Sequence, residues 1–136
     1  MPQDANNEAV VYIVDDDSSL RRALDSVFRS VGLQTRCYGS AQDFLEAQPV
    51  DLPGCIVLDV RLPGMSGLDF QTKLADLGNQ LPVVLMTGRG DAPVSERAMK
   101  HGAVDLLIKP FRNQDILNAV AIAIERDRQR RTSPRI

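Results

Sequence analysis

The sequence predicts a doubly wound α/β fold of the (βα)5 type, a five-stranded parallel sheet of strand order 2-1-3-4-5 with helices on both faces. Three observations predict it. Short, almost wholly apolar runs at Val10 to Val14, Cys55 to Leu58 and Val83 to Met86 read as strands buried on both faces, as parallel strands are. Strand-like and helix-like stretches alternate along the chain, the pattern of βα units joined by right-handed crossovers. Polar residues end the strands at Asp15, Asp16, Asp59, Thr87 and Lys109, and a doubly wound sheet gathers its ligand site at the carboxyl ends of its strands.

A chain of 136 residues suits one domain with one well-filled core. It is 43% hydrophobic and 25% charged, the balance of a soluble globular protein, and with no Trp and 4% aromatics its core must be aliphatic. The net charge is −2, but residues 125 to 136 hold five Arg against Glu125 and Asp127, so the body before them carries −5. Such a body does not attract nucleic acid by its charge. Residues 1 to 8 form a polar leader without the basic start and apolar core of a signal peptide, and no apolar run approaches membrane-spanning length. A cytoplasmic location with no membrane partner is the expectation. Cys37 and Cys55 lie in strand-like runs without metal-ligand spacing, and are expected to be buried free thiols.

The elements follow in order. Strand β1, Val10 to Val14, is β-branched and stops in Asp15-Asp16-Asp17; Ser18 or Ser19 then offers a cap to helix α1. Leu20, Ala23, Leu24, Val27, Phe28 and Val31 give α1 an apolar stripe, and Gly32 suits the position just past its end. Strand β2, Leu33 to Tyr38, is interrupted by Gln34, Thr35 and Arg36, which places it at or near a sheet edge. Ser40 caps a short helix α2 through about Gln48. Strand β3, bounded by Pro53-Gly54 and Pro63-Gly64, delivers Asp59, and helix α3 runs from about Leu68 to Leu77 before Gly78. Strand β4, Val83 to Met86, ends in Thr87-Gly88. Helix α4 is expected from about Asp91, a plausible cap, to Lys100, stopped by His101-Gly102. Strand β5 is Ala103 to Ile108, broken by Lys109-Pro110. Helix α5 starts near Asn113, presents Ile116, Leu117, Val120 and Ile124, and loses its pattern from Glu125 onward. This divides the chain into a leader (1–8), a domain (9–126) and the basic start of a linker (127–136).

The topology brings Asp15, Asp16, Asp59, Thr87 and Lys109 to one end of the sheet. A single Asp at a strand end also caps turns, and a lone Thr or Lys there is also ordinary surface. Three carboxylates together, however, repel one another unless a cation intervenes. An acidic, water-accessible set without His or Cys suits Mg²⁺, which takes one or two carboxylates and keeps waters and phosphate oxygens. The other parts suit phosphoryl chemistry: a carboxylate nucleophile, an ammonium at Lys109, a hydroxyl at Thr87 and room beside Gly88. His101, at a helix end, reads as a capping residue rather than a phosphoryl carrier.

Four motifs in this order resemble the receiver domains of two-component response regulators, over about residues 9 to 126. They are Val14-Asp15-Asp16, Leu58-Asp59-Val60-Arg61-Leu62-Pro63-Gly64-Met65-Ser66-Gly67, Thr87-Gly88 and Lys109-Pro110-Phe111. The stretch Thr87 to Pro93 is similar to the FixJ branch, whose members join a receiver to a LuxR-type helix-turn-helix domain. The resemblance implies a CheY-like, flavodoxin-like fold and a phosphoacceptor switch rather than an enzyme that turns over a substrate. It makes Asp59 the acceptor of a phosphoryl group from a sensor histidine kinase. It implies Mg²⁺ held by Asp16, Asp59 and the backbone carbonyl of Arg61, with Asp15 acting through a water. Thr87 and Lys109 would contact the phosphoryl oxygens. Leu106 departs from the family's pattern, standing three residues before the lysine where an aromatic switch residue is usual. The α4-β5-α5 face, roughly residues 91 to 126, is where phosphorylation would change association, as a homodimer. DNA would be reached only through an effector domain not present in this sequence.

Two other functions fit the sequence less well. A haloacid-dehalogenase-type phosphatase places a second Asp two residues after its nucleophile, and that position is Arg61. A flavin-binding module needs Gly, Ser and Thr in its first loop, which here is acidic. The Arg126 to Arg135 run lacks aromatics for stacking and reads as the start of a linker rather than a nucleic-acid patch.

Overall fold

Val10–Val14 is buried over its full length, because neighbours on both edges and helices on both faces leave no side that water reaches. The computed structural model describes residues 8–48, 50–88, 96, 97 and 99–132. The main sheet is built from β1 (Val10–Val14), β2 (Gln34–Tyr38), β3 (Gly54–Asp59), β4 (Val83–Thr87) and β5 (Asp105–Ile108). All neighbours are parallel and the order is β2-β1-β3-β4-β5, as the sequence predicts. Helices α1 (Ser18–Ser30), α2 (Ala41–Glu46), α3 (Gly67–Asp76) and α5 (Asn113–Thr132) connect or follow the strands. Of the expected α4, residues 96, 97, 99 and 100 are helical, and the Asp91 cap lies outside the described residues. The leader lies outside them too, except for Glu8.

Alternation along the strands divides the core into two layers. Val10, Tyr12, Val14, Ile56, Leu58, Val83 and Leu85 face α2 and α3 with Phe44, Phe70 and Leu74. Val11, Ile13, Cys55, Val57, Val84 and Met86 face α1 and α5 with Leu24, Phe28, Ile116, Val120 and Ile124. Each fully buried Val, Leu or Ile adds about 1.5–3 kcal/mol relative to exposure, and the core is not purely aliphatic as the composition suggests: Phe44 packs edge-on against Tyr12, Tyr38 and Phe70. Gly54 lets β1 and β3 close up at their amino ends, since a Cβ there would lie 2.3 Å from the Val10 carbonyl oxygen.

Several expectations are corrected. The α1 cap is Asp17, whose carboxylate accepts from the N–H groups of Ser19 and Leu20; a carboxylate outcompetes a serine hydroxyl at the positive end of a helix. In the α1 stripe, Leu24 and Phe28 are buried whereas Ala23 and Val31 are exposed. Cys37 is exposed and only Cys55 is buried, because edge strand β2 lies at the rim of α1 among Arg21, Asp25 and Thr35. Arg61–Leu62 and Met65–Ser66 form a small antiparallel hairpin, a separate sheet that the apolar pattern did not signal. Helix α5 continues through Thr132, past the point where its apolar pattern fades, and Asp127 turns inward. It is fully buried, accepts from the Gly54 N–H at 3.0 Å, and pairs with Arg130 at 2.6 Å and Arg131 at 2.8 Å. Arg131 also reaches Asp51, and Arg130 reaches Gln80. The basic end of α5 is thereby tied to the amino end of β3, while residues 133 to 136 lie outside the described residues.

Candidate functional site

The sheet register assembles the site. Val14 is paired with Leu58, so the next residues of β1 and β3, Asp15 and Asp59, emerge side by side where the chain order reverses. Thr87 is paired with Ile108, which sets Lys109 beyond the end of β5, and the Lys109 N–H donates to the Thr87 carbonyl at 2.7 Å. The ammonium of Lys109 then reaches back across the sheet. It lies 3.1 Å from Asp15 Oδ2 and 3.1 Å from Asp59 Oδ2. Carboxylate oxygens of Asp15, Asp16 and Asp59 all fall within 4.8 Å of one another.

Asp15 is buried and every polar part of it is held. Its N–H donates to the Tyr38 carbonyl at 3.1 Å, its Oδ1 accepts from the Asp17 N–H at 2.8 Å, and its carbonyl accepts from Arg21 Nη1 at 2.7 Å. Burial pushes its pKa above the ordinary carboxylate value, with the Asp17 N–H and Lys109 opposing the rise. For Lys109, burial works against the charged form, but hydrogen bonds and charge from Asp15 and Asp59 outweigh it and hold the pKa above its ordinary value. Asp59 is half-buried, with Oδ1 accepting from the Arg61 N–H at 3.0 Å. Asp16 is exposed at the mouth.

The loop carrying these groups is shaped by Gly67. Its N–H donates to the Val60 carbonyl at 2.6 Å, and a Cβ there would lie 3.0 Å from Val60 Cα. Any side chain at this position would push the start of α3 away from the Val60 backbone behind Asp59. Thr87 is buried at the end of β4, and Leu106, partnered with Leu85 in the register, is half-buried against the α2-α3 layer. The structure therefore brings Asp15, Asp16, Asp59 and Lys109 together, sets Thr87 beside them through the Lys109 main chain, and leaves Leu106 in the neighbouring core.

Two unit negative charges within 4.8 Å repel by about 3 kcal/mol at an effective dielectric of about 20. Lys109 supplies one positive charge against three carboxylates, leaving net negative charge that a further cation would offset. The donor set is carboxylate oxygen alone and opens to water at Asp16, which fits a hard divalent ion and not a thiolate- or imidazole-seeking one. Asp17 and Arg21 are the supporting residues that reading by motif overlooks. A third acid after the pair, followed four residues later by Arg on the first turn of a helix, was the available signal.

Residues 11–121 match the model of the response regulator receiver domain. The chain is 53% identical over 132 residues to nodulation protein W of Bradyrhizobium diazoefficiens, covering 97% of this chain and 58% of that protein. It is 46% identical to the response regulator protein TmoT of Ectopseudomonas mendocina, covering 96% of this chain and 60% of that protein. To the transcriptional regulatory protein FixJ of B. diazoefficiens it is 38% identical over 114 residues, covering 84% of this chain and 56% of that protein. The chain thus spans little more than half the length of these relatives. Among solved structures, FixJ-N superposes with a TM-score of 0.81 at 37% identity, covering 88% of this chain and 95% of that one. The response regulator StyR superposes with a TM-score of 0.85 at 40% identity, covering 91% and 63%. Among the described residues no helix is long and apolar enough to cross a membrane. With residues 11–121 matched by the family's model, and with solved receivers superposing on its five-stranded parallel sheet, the chain belongs to the receiver domain family of two-component response regulators.

Proposed function

We propose that Asp59 accepts a phosphoryl group from a sensor histidine kinase in a Mg²⁺-dependent transfer, and that the modified receiver changes its association with a second copy through the α4-β5-α5 face. The observation that carries this reading is the Lys109 ammonium set 3.1 Å from both Asp15 and Asp59 within a three-carboxylate cluster. An Asp59 oxygen forms the new O–P bond as the N–P bond of the kinase phosphohistidine breaks, and the electron pair stays on the imidazole nitrogen, which takes up a proton. Lys109 turns from Asp59 to a phosphoryl oxygen, remaining anchored on Asp15, and the Thr87 hydroxyl donates to another. The carboxylates of Asp16 and Asp59 and the backbone carbonyl of Arg61 would hold Mg²⁺, with Asp15 acting through a water. When bound, the ion supplies positive charge to the acids and to the transferring oxygens.

Support for the association surface comes from Ile108 on edge strand β5 and Ile122 on α5, both more than half exposed. Leu106 takes the place from which the family signals with an aromatic ring, so here the change at Thr87 is passed by repacking an aliphatic side chain. Relatives that extend beyond this chain include transcriptional regulators. The effector is accordingly a helix-turn-helix domain outside this sequence, DNA is contacted only through it, and the setting is cytoplasmic.

Beryllofluoride, a phosphoryl mimic, tests the reading. With Mg²⁺ it should raise the melting temperature of the wild type and leave Asp59→Asn unmoved. An equal rise in both, or none in either, would sink the assignment of Asp59.

A further inference from the structure

Asp16 is the acid at the mouth, and among the described residues its carboxylate makes no hydrogen bond. Its direction therefore rests on its main chain, and the peptide that joins it to Asp15 is held by one side chain. Arg21, half-buried on the first turns of α1, donates from Nη1 to the Asp15 carbonyl at 2.7 Å. The guanidinium also lies against Gly39, where an added Cβ would sit 3.4 Å from Nη1 and 3.8 Å from Cζ. Gly39 follows Tyr38, whose carbonyl accepts the Asp15 N–H at 3.1 Å. Arg21 thus closes a clamp between the ends of β1 and β2, with Asp15 in its jaws.

We propose that Arg21 is a positioning residue of the acidic site, fixing the Asp15-Asp16 peptide so that Asp16 presents its carboxylate to the divalent cation. This rests on the Mg²⁺ reading given above. A positive side chain so near a cation site has two opposed effects. As a bare charge it repels the ion, and its removal tightens binding. As a clamp it aims a ligand, and its removal loosens binding, because groups that orient metal ligands typically contribute about 10–100-fold in affinity. The geometry favours the clamp: the guanidinium is spent on a carbonyl and on packing against Gly39, and its planar fork holds that carbonyl in a fixed direction.

Calorimetric titration of the full chain with Mg²⁺ decides between them, with no phosphoryl donor present. Arg21→Ala should weaken the Mg²⁺ dissociation constant about tenfold or more. Arg21→Gln, neutral but still a donor, should recover part of that loss, and near-ultraviolet circular dichroism should show both variants folded. Should Arg21→Ala fail to fold, the comparison of Arg21→Gln with wild type carries the same sign. Mg²⁺ affinity that is unchanged or tighter in the variants overturns the proposal, and so does a lowered melting temperature with unaltered Mg²⁺ affinity. A wild type that binds no Mg²⁺ overturns the functional reading as well, which separates the two failures.

Discussion

Replacing Asp127 by Ala removes the buried carboxylate through which the end of α5 holds the first residue of β3. Asp127 and Gly54 are both buried, so the substitution leaves the Gly54 N–H without its acceptor. An orphaned buried donor costs about 1–3 kcal/mol. Arg130 and Arg131 lose an ion pair, but their side chains are 39% and 25% exposed and turn to water. Their share is discounted accordingly to about 1 kcal/mol in total. The expected loss is about 2–4 kcal/mol, which for a chain of this size lowers the melting temperature by about 7–14 °C. Asp127→Asn keeps a carbonyl acceptor for Gly54 and should lose about half as much. Thermal melting gives the magnitude, and amide exchange should localise it to Gly54 and residues 126–131. The site lies at the other end of β3, so phosphorylation should survive. A melting temperature within about 2 °C of wild type, or exchange unchanged at Gly54, would refute the view that the basic end of α5 belongs to the packed domain.

Three further substitutions probe the site. Asp16→Asn should raise the melting temperature in Mg²⁺-free buffer by relieving like-charge repulsion, and abolish the Mg²⁺-induced rise, which for wild type at a hundredfold excess over the dissociation constant corresponds to about 2.7 kcal/mol. Gly67→Ala forces a Cβ to within 3.0 Å of Val60 Cα and should cost about 1–3 kcal/mol in urea unfolding while slowing modification of Asp59. Lys109→Met tests the pH linkage. The raised pKa of Lys109 means its stabilisation is complete below its ordinary value of 10.5 and is lost as pH rises from there through the higher folded value. The stability gap between wild type and Lys109→Met should therefore be constant near neutrality and close in that alkaline window; a gap that stays constant throughout would show that Lys109 gains nothing from Asp15 and Asp59.

The fold was legible because β1, β3 and β4 are apolar runs buried on both faces, and their alternation with amphipathic helices selects a parallel sheet between helix layers. The clustering of the acids was legible because parallel neighbours end at the same side: once β1 lies beside β3, Asp15 and Asp59 leave the sheet together, and the observed register sets them side by side. What escaped was polar structure. Apolar periodicity could not distinguish Asp17 from Ser18 as a cap, nor show that Cys37 faces the rim of α1 rather than its centre. The end of α5 escaped for the same reason, although the stripe Ile116, Val120, Ile124 continues in register to position 127. There the inward residue is an Asp, neutralised by Arg130 and Arg131 one turn on. A buried acid followed by arginines at the third and fourth positions is a helical signal that a search for hydrophobic residues passes over. Arg21 belongs with it, since the trace that a side chain holding a backbone carbonyl leaves here is its spacing of four from Asp17.

The proposed function requires that one carboxylate, Asp59, carry the phosphoryl group. Incubation with acetyl phosphate and Mg²⁺, followed by borohydride reduction, converts an aspartyl phosphate into homoserine, which peptide mass spectrometry locates to a residue. Homoserine is expected at position 59, dependent on Mg²⁺ and absent from Asp59→Asn. Homoserine at position 15 or 16 in the wild type, or equal labelling without a divalent ion, would contradict it.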